Sequence, residues 1–283
     1  MSFHSIKTIQ VRGRILDFST PKVMGIVNIT PDSFYDGGQF AELDKAIEYS
    51  QKSLNEGADI LDIGGASSRP GSKGISLGEE ADRIIPLIET LRERNSEVII
   101  SVDTYRSEIA KLAINAGADI INDISAGELD DRMISTVAEL KVPYIIMHMQ
   151  GRPETMQVNP EYEDIVLEVT NYLSQRLARC TEAGITDVIL DPGFGFGKSV
   201  IHNYRLLEHL EHLQLFGRPI LVGLSRKSMI QKVLNVDADN ALNGTSALHM
   251  IALERGAAIL RAHDVKEAVE CVKLFKKLKS SHG

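Results

Sequence analysis

One local pattern recurs along the chain and strongly limits the folds open to it. Each copy has a glycine placed to end a helix, then a short run rich in isoleucine and valine, then a polar or glycine cluster. Glycine ends a helix at low cost because it adopts the left-handed conformation freely. Continuously apolar strands are typical of parallel sheets that are buried on both faces. The clearest copies are EGADILDIGG (56–65), AGADIINDIS (116–125), AGITDVILDP (183–192) and RGAAILRAHD (255–264).

The pattern predicts eight strands that alternate with helices in a single domain over residues 1–283. We place the strands near 23–28, 59–63, 97–102, 119–122, 143–148, 187–191, 219–224 and 257–261. Helical periodicity covers 43–56, 79–94, 106–115, 131–140, 161–182, 202–215, 227–234, 244–255 and 264–278. Such an alternation without a change of composition is typical of an α/β fold of the (β/α)8 TIM-barrel type. A doubly wound open sheet also fits the repeat and stays open.

The segment before the first strand has a different pattern. Residues 6–18 alternate around Arg12–Gly13 and predict an N-terminal β-hairpin within 1–20. This hairpin is expected to lie outside the barrel and to plug its base. Further on, Ser76 and Glu79 have the spacing of a capping box at the start of the second helix.

Composition and charge exclude several classes of protein. The chain has 31 basic and 39 acidic residues, a net charge of -8, and no basic tract, so no nucleic-acid surface is expected. The two cysteines, Cys180 and Cys271, lie far apart, which fits a reducing cytoplasm. The N-terminus lacks the apolar run of a signal peptide, and no run is long enough to cross a membrane. We therefore expect a soluble cytoplasmic protein.

Polar residues stand where the predicted strands end. In a barrel these ends meet at one mouth, where barrel enzymes place their active sites. Each residue also has an ordinary explanation: Asp103 fits a helix cap, and His148 fits a hydrogen-bonded core histidine equally well. Their joint occurrence at one rim favours a shared pocket. The residues are Asn28, Gly64–Gly65, Asp103, Asn122–Asp123, His148, Asp191, Ser225–Arg226–Lys227, and Arg261 with His263.

Common catalytic motifs are missing from the sequence. GFGFGKS (193–199) is similar to a phosphate loop, but Pro192 stands where that motif needs glycine. The chain has no H-x-x-x-H, C-x-x-C or G-x-S-x-G pattern. Zinc hydrolase, thiol redox and serine esterase functions therefore lack support.

Seven sequence blocks resemble dihydropteroate synthase, in that family's order and over roughly residues 20 to 270. They are MGIVNITPDSFYDGG (24–38), DIGGASSRPG (62–71), SVDT (101–104), INDI (121–124), DPGFGFGK (191–198), SRKSM (225–229) and RAHDV (261–265). The resemblance implies a transferase of folate biosynthesis. It would condense 6-hydroxymethyl-7,8-dihydropterin pyrophosphate with p-aminobenzoate, giving 7,8-dihydropteroate and pyrophosphate. It also implies Mg2+ as cofactor, a homodimer and a target of sulfonamides.

The resemblance also assigns roles to individual residues. Asp103, Asp191 and Lys227 would be catalytic. The pterin would contact Asp103, Asn122, Met147, Asp191, Phe196, Gly223 and Lys227. The pyrophosphate would contact Asn28, Ser68, Arg69, Arg261 and His263, and Asn28 would also be a ligand of Mg2+. The aminobenzoate pocket would consist of Phe34, Ser68, Arg69, Pro70, Lys227 and Ser228. The long loops 29–40 and 64–78 would act as lids.

The second block departs from the family, which often has GGESTRPG there. Ala66 and Ser68 replace the glutamate and threonine, and Ser68 keeps the hydroxyl. Three other functions stay open. A methyltetrahydrofolate corrinoid methyltransferase would share the pterin residues but needs no pyrophosphate site. A non-catalytic pterin-binding paralogue would keep every residue. An aldolase-type barrel would need a Schiff-base lysine on a strand, whereas Lys227 lies beyond one.

Overall fold

The computed structural model describes residues 8–29, 39–66, 74–153, 155–156 and 160–281. The strands in these residues are β1 (Thr8–Val11), β2 (Arg14–Asp17), β3 (Lys22–Asn28), β4 (Ile60–Gly64), β5 (Ile99–Asp103), β6 (Ile120–Asp123), β7 (Tyr144–Met147), β8 (Val188–Asp191), β9 (Leu221–Val222) and β10 (Ile259–Ala262). Strands β3 to β10 form one parallel sheet of eight strands in the order β8-β7-β6-β5-β4-β3-β10-β9.

The two ends of this sheet meet. Leu190 of β8 forms a parallel bridge with Ile220, which directly precedes β9. The Leu190 N–H also donates to the Pro219 carbonyl over 2.9 Å. The sheet is therefore closed into a (β/α)8 barrel as predicted, and the open-sheet alternative is wrong.

Helices surround the barrel and alternate with its strands. They are α1 (Gln39–Glu56), α2 (Leu77–Arg94), α3 (Ser107–Ala116), α4 (Met133–Leu140), α5 (Ile165–Glu182), α6 (Val200–Glu208), α7 (Ser228–Leu234), α8 (Leu242–Glu254) and α9 (Val265–Ser280). The capping box of Ser76 and Glu79 is present at the start of α2, as predicted. Within the described residues, none of the helices has the length and apolar character that a bilayer span requires.

The N-terminal hairpin lies outside the main sheet and closes the base of the barrel. Arg12 and Gly13 both have positive φ, 49° and 74°, which matches the right-handed twist of a two-residue hairpin turn. Ile9, Val11 and Phe18 form one buried apolar cluster with residues at the amino-terminal ends of the barrel strands. Those residues are Met24, Ile60, Ile120, Ile145, Ile189, Leu221 and Ile259. The predicted plug is confirmed.

Several element boundaries differ from the prediction by a few residues, and three of these differences have a clear structural cause. The seventh barrel strand covers only Leu221–Val222 instead of 219–224, because the chain turns after it, with the Lys227 N–H donating to the Leu224 carbonyl over 3.1 Å. Helix α5 begins at Ile165 because the Asp164 carboxylate caps it. The helix predicted over 202–215 ends at Glu208 and continues as the 3-10 helix Leu210–Phe216.

Candidate active site

The strand register brings the predicted polar residues side by side at the mouth. Asn28 pairs with Gly64, Gly64 with Asp103, and Asp103 with Asn122 across four neighbouring strands. Asp103 does not cap the helix that follows it, since the N-cap of α3 is Arg106. The ordinary explanation of Asp103 as a cap is therefore wrong.

A network of hydrogen bonds at the mouth is centred on Asp62. Its Oδ2 accepts from Asn122 Nδ2 at 3.0 Å and from Arg261 Nε at 2.6 Å. Arg261 Nη2 donates to Asp103 Oδ2 at 2.8 Å. Asp62 is fully buried on β4 and was not among the predicted site residues. A carboxylate inside the otherwise apolar ILDIG strand was the sequence signal that could have identified it.

Burial and neighbouring charges shift the titration of this network. Burial raises the pKa of Asp103 to about 7, with Arg261 acting in the opposite direction and Asp62 adding to the rise. Burial opposes the charge of Arg261, but Asp62 and Asp103 outweigh it and raise the pKa of Arg261 above its usual range. The guanidinium is thus a permanent cation, while Asp103 titrates near neutral pH.

Asp191 and Lys227 form a second polar group of the mouth. Asp191 is buried, which raises its pKa, and Lys227 acts against this rise. The Asp191 Oδ1 accepts from the Gly193 N–H at 2.7 Å. Burial lowers the pKa of Lys227 to about 8, although Asp191 favours its charge. Lys227 Nζ donates to the Phe194 carbonyl and lies 4.5 Å from the centre of the Phe196 ring.

An apolar wall lies next to these charges. Met147 pairs in register with Asp191 and is buried, and Phe196 packs against the same cluster. The other members of the cluster are Ile124, Met149, Met156, Tyr105 and Leu129. Such a combination of apolar walls and a few convergent polar groups is typical of sites for flat small molecules.

Three polar residues from the predicted rim have structural roles. Asp123 is buried and accepts hydrogen bonds from the Ser125 backbone and hydroxyl, the Gly127 N–H and the Tyr144 hydroxyl. Arg226 pairs with Asp264, with its Nη2 at 2.8 Å from Oδ1.

His148 is the third of these residues, and it is a buried histidine whose Nδ1 lies 2.9 Å from Lys198 Nζ. The sequence did not distinguish a core histidine from a functional one at this position. The contacts of His148 support the core histidine.

The remaining predicted residues are placed as follows. His263 Nδ1 lies 3.1 Å from Ser225 Oγ, and its carbonyl accepts from the Tyr49 hydroxyl. Ser228 begins α7. A Cβ at Gly223 would lie 3.9 Å from Lys227 Nζ and 4.0 Å from Arg261 Cβ, so Gly223 lies close to both side chains. Phe34, Ser68, Arg69 and Pro70, with most of the two predicted lid loops, lie outside the described residues.

Comparison with known proteins agrees with this geometry. Residues 24–263 match the family of pterin binding enzymes. The dihydropteroate synthase of Escherichia coli strain K12 is 46% identical over 265 residues, which cover 93% of each chain. The chain belongs to the dihydropteroate synthase family. It is therefore a transferase, and its reaction is the synthesis of dihydropteroate, as the sequence blocks implied.

Solved structures of dihydropteroate synthases share the fold of this chain. The Yersinia pestis enzyme in a sulfonamide drug complex superimposes with a TM-score of 0.91 at 43% identity, covering 96% of this chain and 99% of that one. The Xanthomonas albilineans enzyme with 4-aminobenzoic acid also gives a TM-score of 0.91, at 40% identity, covering 96% of this chain and 98% of that one. The agreement at these identities favours the synthase over the methyltransferase and aldolase alternatives.

Proposed function

We propose that the barrel mouth condenses 6-hydroxymethyl-7,8-dihydropterin pyrophosphate with p-aminobenzoate through the residues described above. The observation that carries this proposal is the network of Asn122, Asp62, Arg261 and Asp103, which lies beside Asp191 and Lys227. It offers acceptors for the N–H groups of a pterin and a fixed cation for an anionic leaving group. Asp103, Asp191 and Lys227 are the catalytic residues of the proposal.

The pterin edge would be recognised mainly by Asp191. A pterin carries an amino group and a ring N–H side by side, and a carboxylate can accept both. Because Asn122 Nδ2 donates to Asp62, the Asn122 oxygen is the atom that accepts from the ligand. Lys227 would donate to the pterin oxygen, and Gly223, which has no side chain, would leave room for the ring beside Lys227.

Further contacts with the ring come from Met147, Phe196 and Asp103. Met147 and Phe196 supply apolar surface for the two faces of the heterocycle. Asp103 would accept from the other ring nitrogens. Asp62 Oδ1 is buried and has no hydrogen-bond partner among the described residues, so it is a further acceptor at this edge.

The pyrophosphate would be held by Arg261, His263 and Asn28, together with Ser68 and Arg69. The Asn28 side chain suits a single oxygen ligand of Mg2+. Its Oδ1 lies 3.2 Å from the position of a Cβ at Gly64, and it makes no hydrogen bond to another described residue. Mg2+ prefers few protein oxygens, completed by phosphate oxygens and water. When bound, Mg2+ would neutralise charge on the pyrophosphate.

The reaction would proceed by substitution at the pterin methylene carbon. The C–O bond to pyrophosphate breaks first, and the bonding electrons leave with the pyrophosphate. Asp191 and ionised Asp103 stabilise the positive charge that develops on the pterin, because carboxylates in a dry site interact strongly with nearby charge. The amine of p-aminobenzoate then forms the C–N bond and loses a proton.

The aminobenzoate would lie on the open side of the pterin. Lys227 and Ser228 supply the described part of this pocket, and Phe34, Ser68, Arg69 and Pro70 would complete it. In this arrangement Lys227 contacts both substrates, so it aligns the amine with the methylene carbon.

We also propose that the enzyme is a cytoplasmic homodimer. Large apolar side chains on α6 and α8 support an association surface, since Ile201 is 77% exposed and Ile251 is 44% exposed. These two residues line one groove of about 650 Å3 with Tyr204 and Leu248. Cys180 and Cys271 are both free and buried, which suits a reducing compartment. Sedimentation of the purified protein at micromolar concentration tests the dimer.

The function itself is tested by comparing two separate reaction mixtures. The enzyme is incubated with Mg2+ and either the pterin pyrophosphate plus p-aminobenzoate or methyltetrahydrofolate plus a cob(I)alamin acceptor. We expect dihydropteroate from the first mixture and no methyl transfer in the second. Methyl transfer without dihydropteroate would favour the methyltransferase, and tight pterin binding without either product would favour the non-catalytic paralogue.

A further inference from the structure

The GFGFGK segment, residues 193–198, is a tight turn that its alternating glycines make possible. Gly193 and Gly197 have φ values of 70° and 59°. A Cβ at Gly193 would lie 1.9 Å from the His148 carbonyl oxygen, and one at Gly197 would lie 2.5 Å from the Gln150 carbonyl oxygen. The glycines thus allow the turn to pack closely against the backbone that follows β7. In the phosphate loop that the segment resembles, the glycines instead allow the backbone to approach a phosphate.

A buried lysine ends this turn and bonds back to it. Lys198 is 3% exposed. Its Nζ lies 2.8 Å from the Gly193 carbonyl oxygen, 3.0 Å from the Phe196 carbonyl oxygen and 2.9 Å from His148 Nδ1. The His148 carbonyl oxygen is a fourth neighbour at 3.3 Å. An ammonium has three N–H donors, so these acceptors match it closely.

Burial and neighbouring charges act in different directions on Lys198 and His148. Burial lowers the pKa of Lys198, while Asp191 favours its charge and Lys227 opposes it. Burial and Lys198 together lower the pKa of His148 to about 2, so His148 is neutral and its Nδ1 can accept a hydrogen bond.

The turn that Lys198 holds contacts two residues of the pterin site directly. The Phe194 carbonyl accepts from Lys227 Nζ, and the Phe196 ring lies 4.5 Å from the same atom. On its other side, the Gly193 N–H donates to Asp191 Oδ1 at 2.7 Å. A shift of the turn would therefore move the partners of both Lys227 and Asp191.

We propose that Lys198 is a positioning residue of the synthase, which fixes the 193–198 turn so that Lys227 and Asp191 face the pterin. Lys198 itself makes no contact with substrate. The inference rests on the pterin contacts proposed for Lys227 and Asp191. It assigns to the lysine of the GFGFGK motif a role in substrate geometry, in addition to any role in folding.

The test is pterin binding by Lys198→Met, which keeps a long unbranched side chain, one atom shorter than lysine, and removes all three donors. The probe is 6-hydroxymethylpterin, whose Kd is measured from its fluorescence on protein that circular dichroism shows to be folded. We expect the Kd to rise by about tenfold or more, and KM for the pterin pyrophosphate to rise with it. A purely structural lysine would lower the folded fraction and the maximal rate but leave Kd and KM unchanged.

Arg92→Met is the matched control. Arg92 donates to the Gly117 and Val98 carbonyls, at 3.0 and 2.8 Å, at the opposite end of the barrel. This variant should lose stability and keep the wild-type Kd. An unchanged Kd in Lys198→Met would overturn the inference. If Lys198→Met does not fold, Lys198→Gln replaces it: its side chain is one atom shorter and keeps only two donors, so a smaller rise in Kd is expected, and an unchanged Kd would overturn the inference.

Lys227→Met separates this inference from the proposed function. If Lys227→Met keeps the wild-type Kd, the pterin role of Lys227 is wrong, and the inference falls with it. If Lys227→Met binds the pterin weakly and Lys198→Met binds it normally, only the positioning role of Lys198 is wrong.

Discussion

Arg261 Nη2 donates to Asp103 Oδ2 over 2.8 Å, so two residues with different proposed roles are directly joined. Arg261 is assigned to the leaving pyrophosphate and Asp103 to the pterin. Asp62 holds the Nε of the same guanidinium at 2.6 Å and so fixes it from a second side. A cation anchored in this way needs little reorganisation when the leaving group arrives, which is the condition under which fixed charges contribute most to catalysis.

The anion role of Arg261 predicts a selective loss in Arg261→Ala. The Kd for the pterin pyrophosphate should rise by about 30-fold or more, while the Kd for free hydroxymethylpterin should rise by about threefold or less, because only the first ligand carries the charge. Arg226→Ala is the control, since Arg226 pairs with Asp264 instead of entering the network. Calorimetric titration of both ligands checks the difference, and equal losses in Arg261→Ala would remove its assigned role.

Asp62 should affect substrate binding although it was not predicted from the sequence. Asp62→Ala removes the acceptor that Asn122 and Arg261 share, and we expect kcat/KM to fall by about 100-fold, with a smaller loss of about tenfold in Asp62→Asn. Asp123→Asn is the matched control, because Asp123 is also a buried aspartate but lies on the face of β6 opposite to Asn122. It should lower the free energy of unfolding by about 2 kcal/mol and leave kcat/KM per folded molecule unchanged. The reverse order of effects would contradict the assignment.

The shifted pKa values predict a narrow optimum of activity. Asp103, with a pKa of about 7, becomes a carboxylate as the pH rises through 7. Lys227, with a pKa of about 8, loses its proton as the pH rises through 8. The form with both charges is therefore most abundant between pH 7 and 8, and kcat/KM should fall on either side. In Lys227→Arg the alkaline decrease should disappear, because arginine stays protonated. A wild-type profile that is flat from pH 5.5 to 9.5 would contradict this account.

The hairpin plug should matter for stability and not for catalysis. Ile9 is buried in the cluster at the base of the barrel, and Ile9→Ala should lower the free energy of unfolding by about 2 to 4 kcal/mol. Ile15 is 76% exposed on the same hairpin, and Ile15→Ala should change it by less than about 0.5 kcal/mol. Urea unfolding measures both values. Equal destabilisation by the two variants would mean that the plug is not part of the core.

The barrel could be predicted from the sequence because its signals are local. A glycine that ends a helix and the isoleucine-rich run after it lie within about ten residues of each other, so a short stretch of sequence contains the whole signal. Every barrel strand was predicted close to its observed position. The seventh strand was too long in the prediction because its apolar run continues through Leu224, while the backbone leaves the sheet after Val222. Closure of the sheet rests on the contact between Leu190 and Ile220, which no local pattern reveals.

The site was predictable at the strand ends and less so inside the strands. Asp103, Asn122 and Asp191 follow apolar runs and were found. Asp62 lies two residues before the end of β4, and its importance depends on Arg261, which is 199 positions away. Asp123 and Asn122 are neighbours in sequence, yet only Asn122 joins the network. Side-chain alternation along β6 sends them to opposite faces, and the polar pair alone does not show which one faces the mouth.

The most direct test of the proposed function is product formation by the purified enzyme. Purified enzyme is mixed with the pterin pyrophosphate, p-aminobenzoate and Mg2+, and both pyrophosphate and dihydropteroate are measured over time. We predict equal amounts of the two products, loss of both after chelation of Mg2+, and a decrease of at least about 100-fold in folded Asp191→Asn. Folded wild-type protein that forms no dihydropteroate above background would contradict the account.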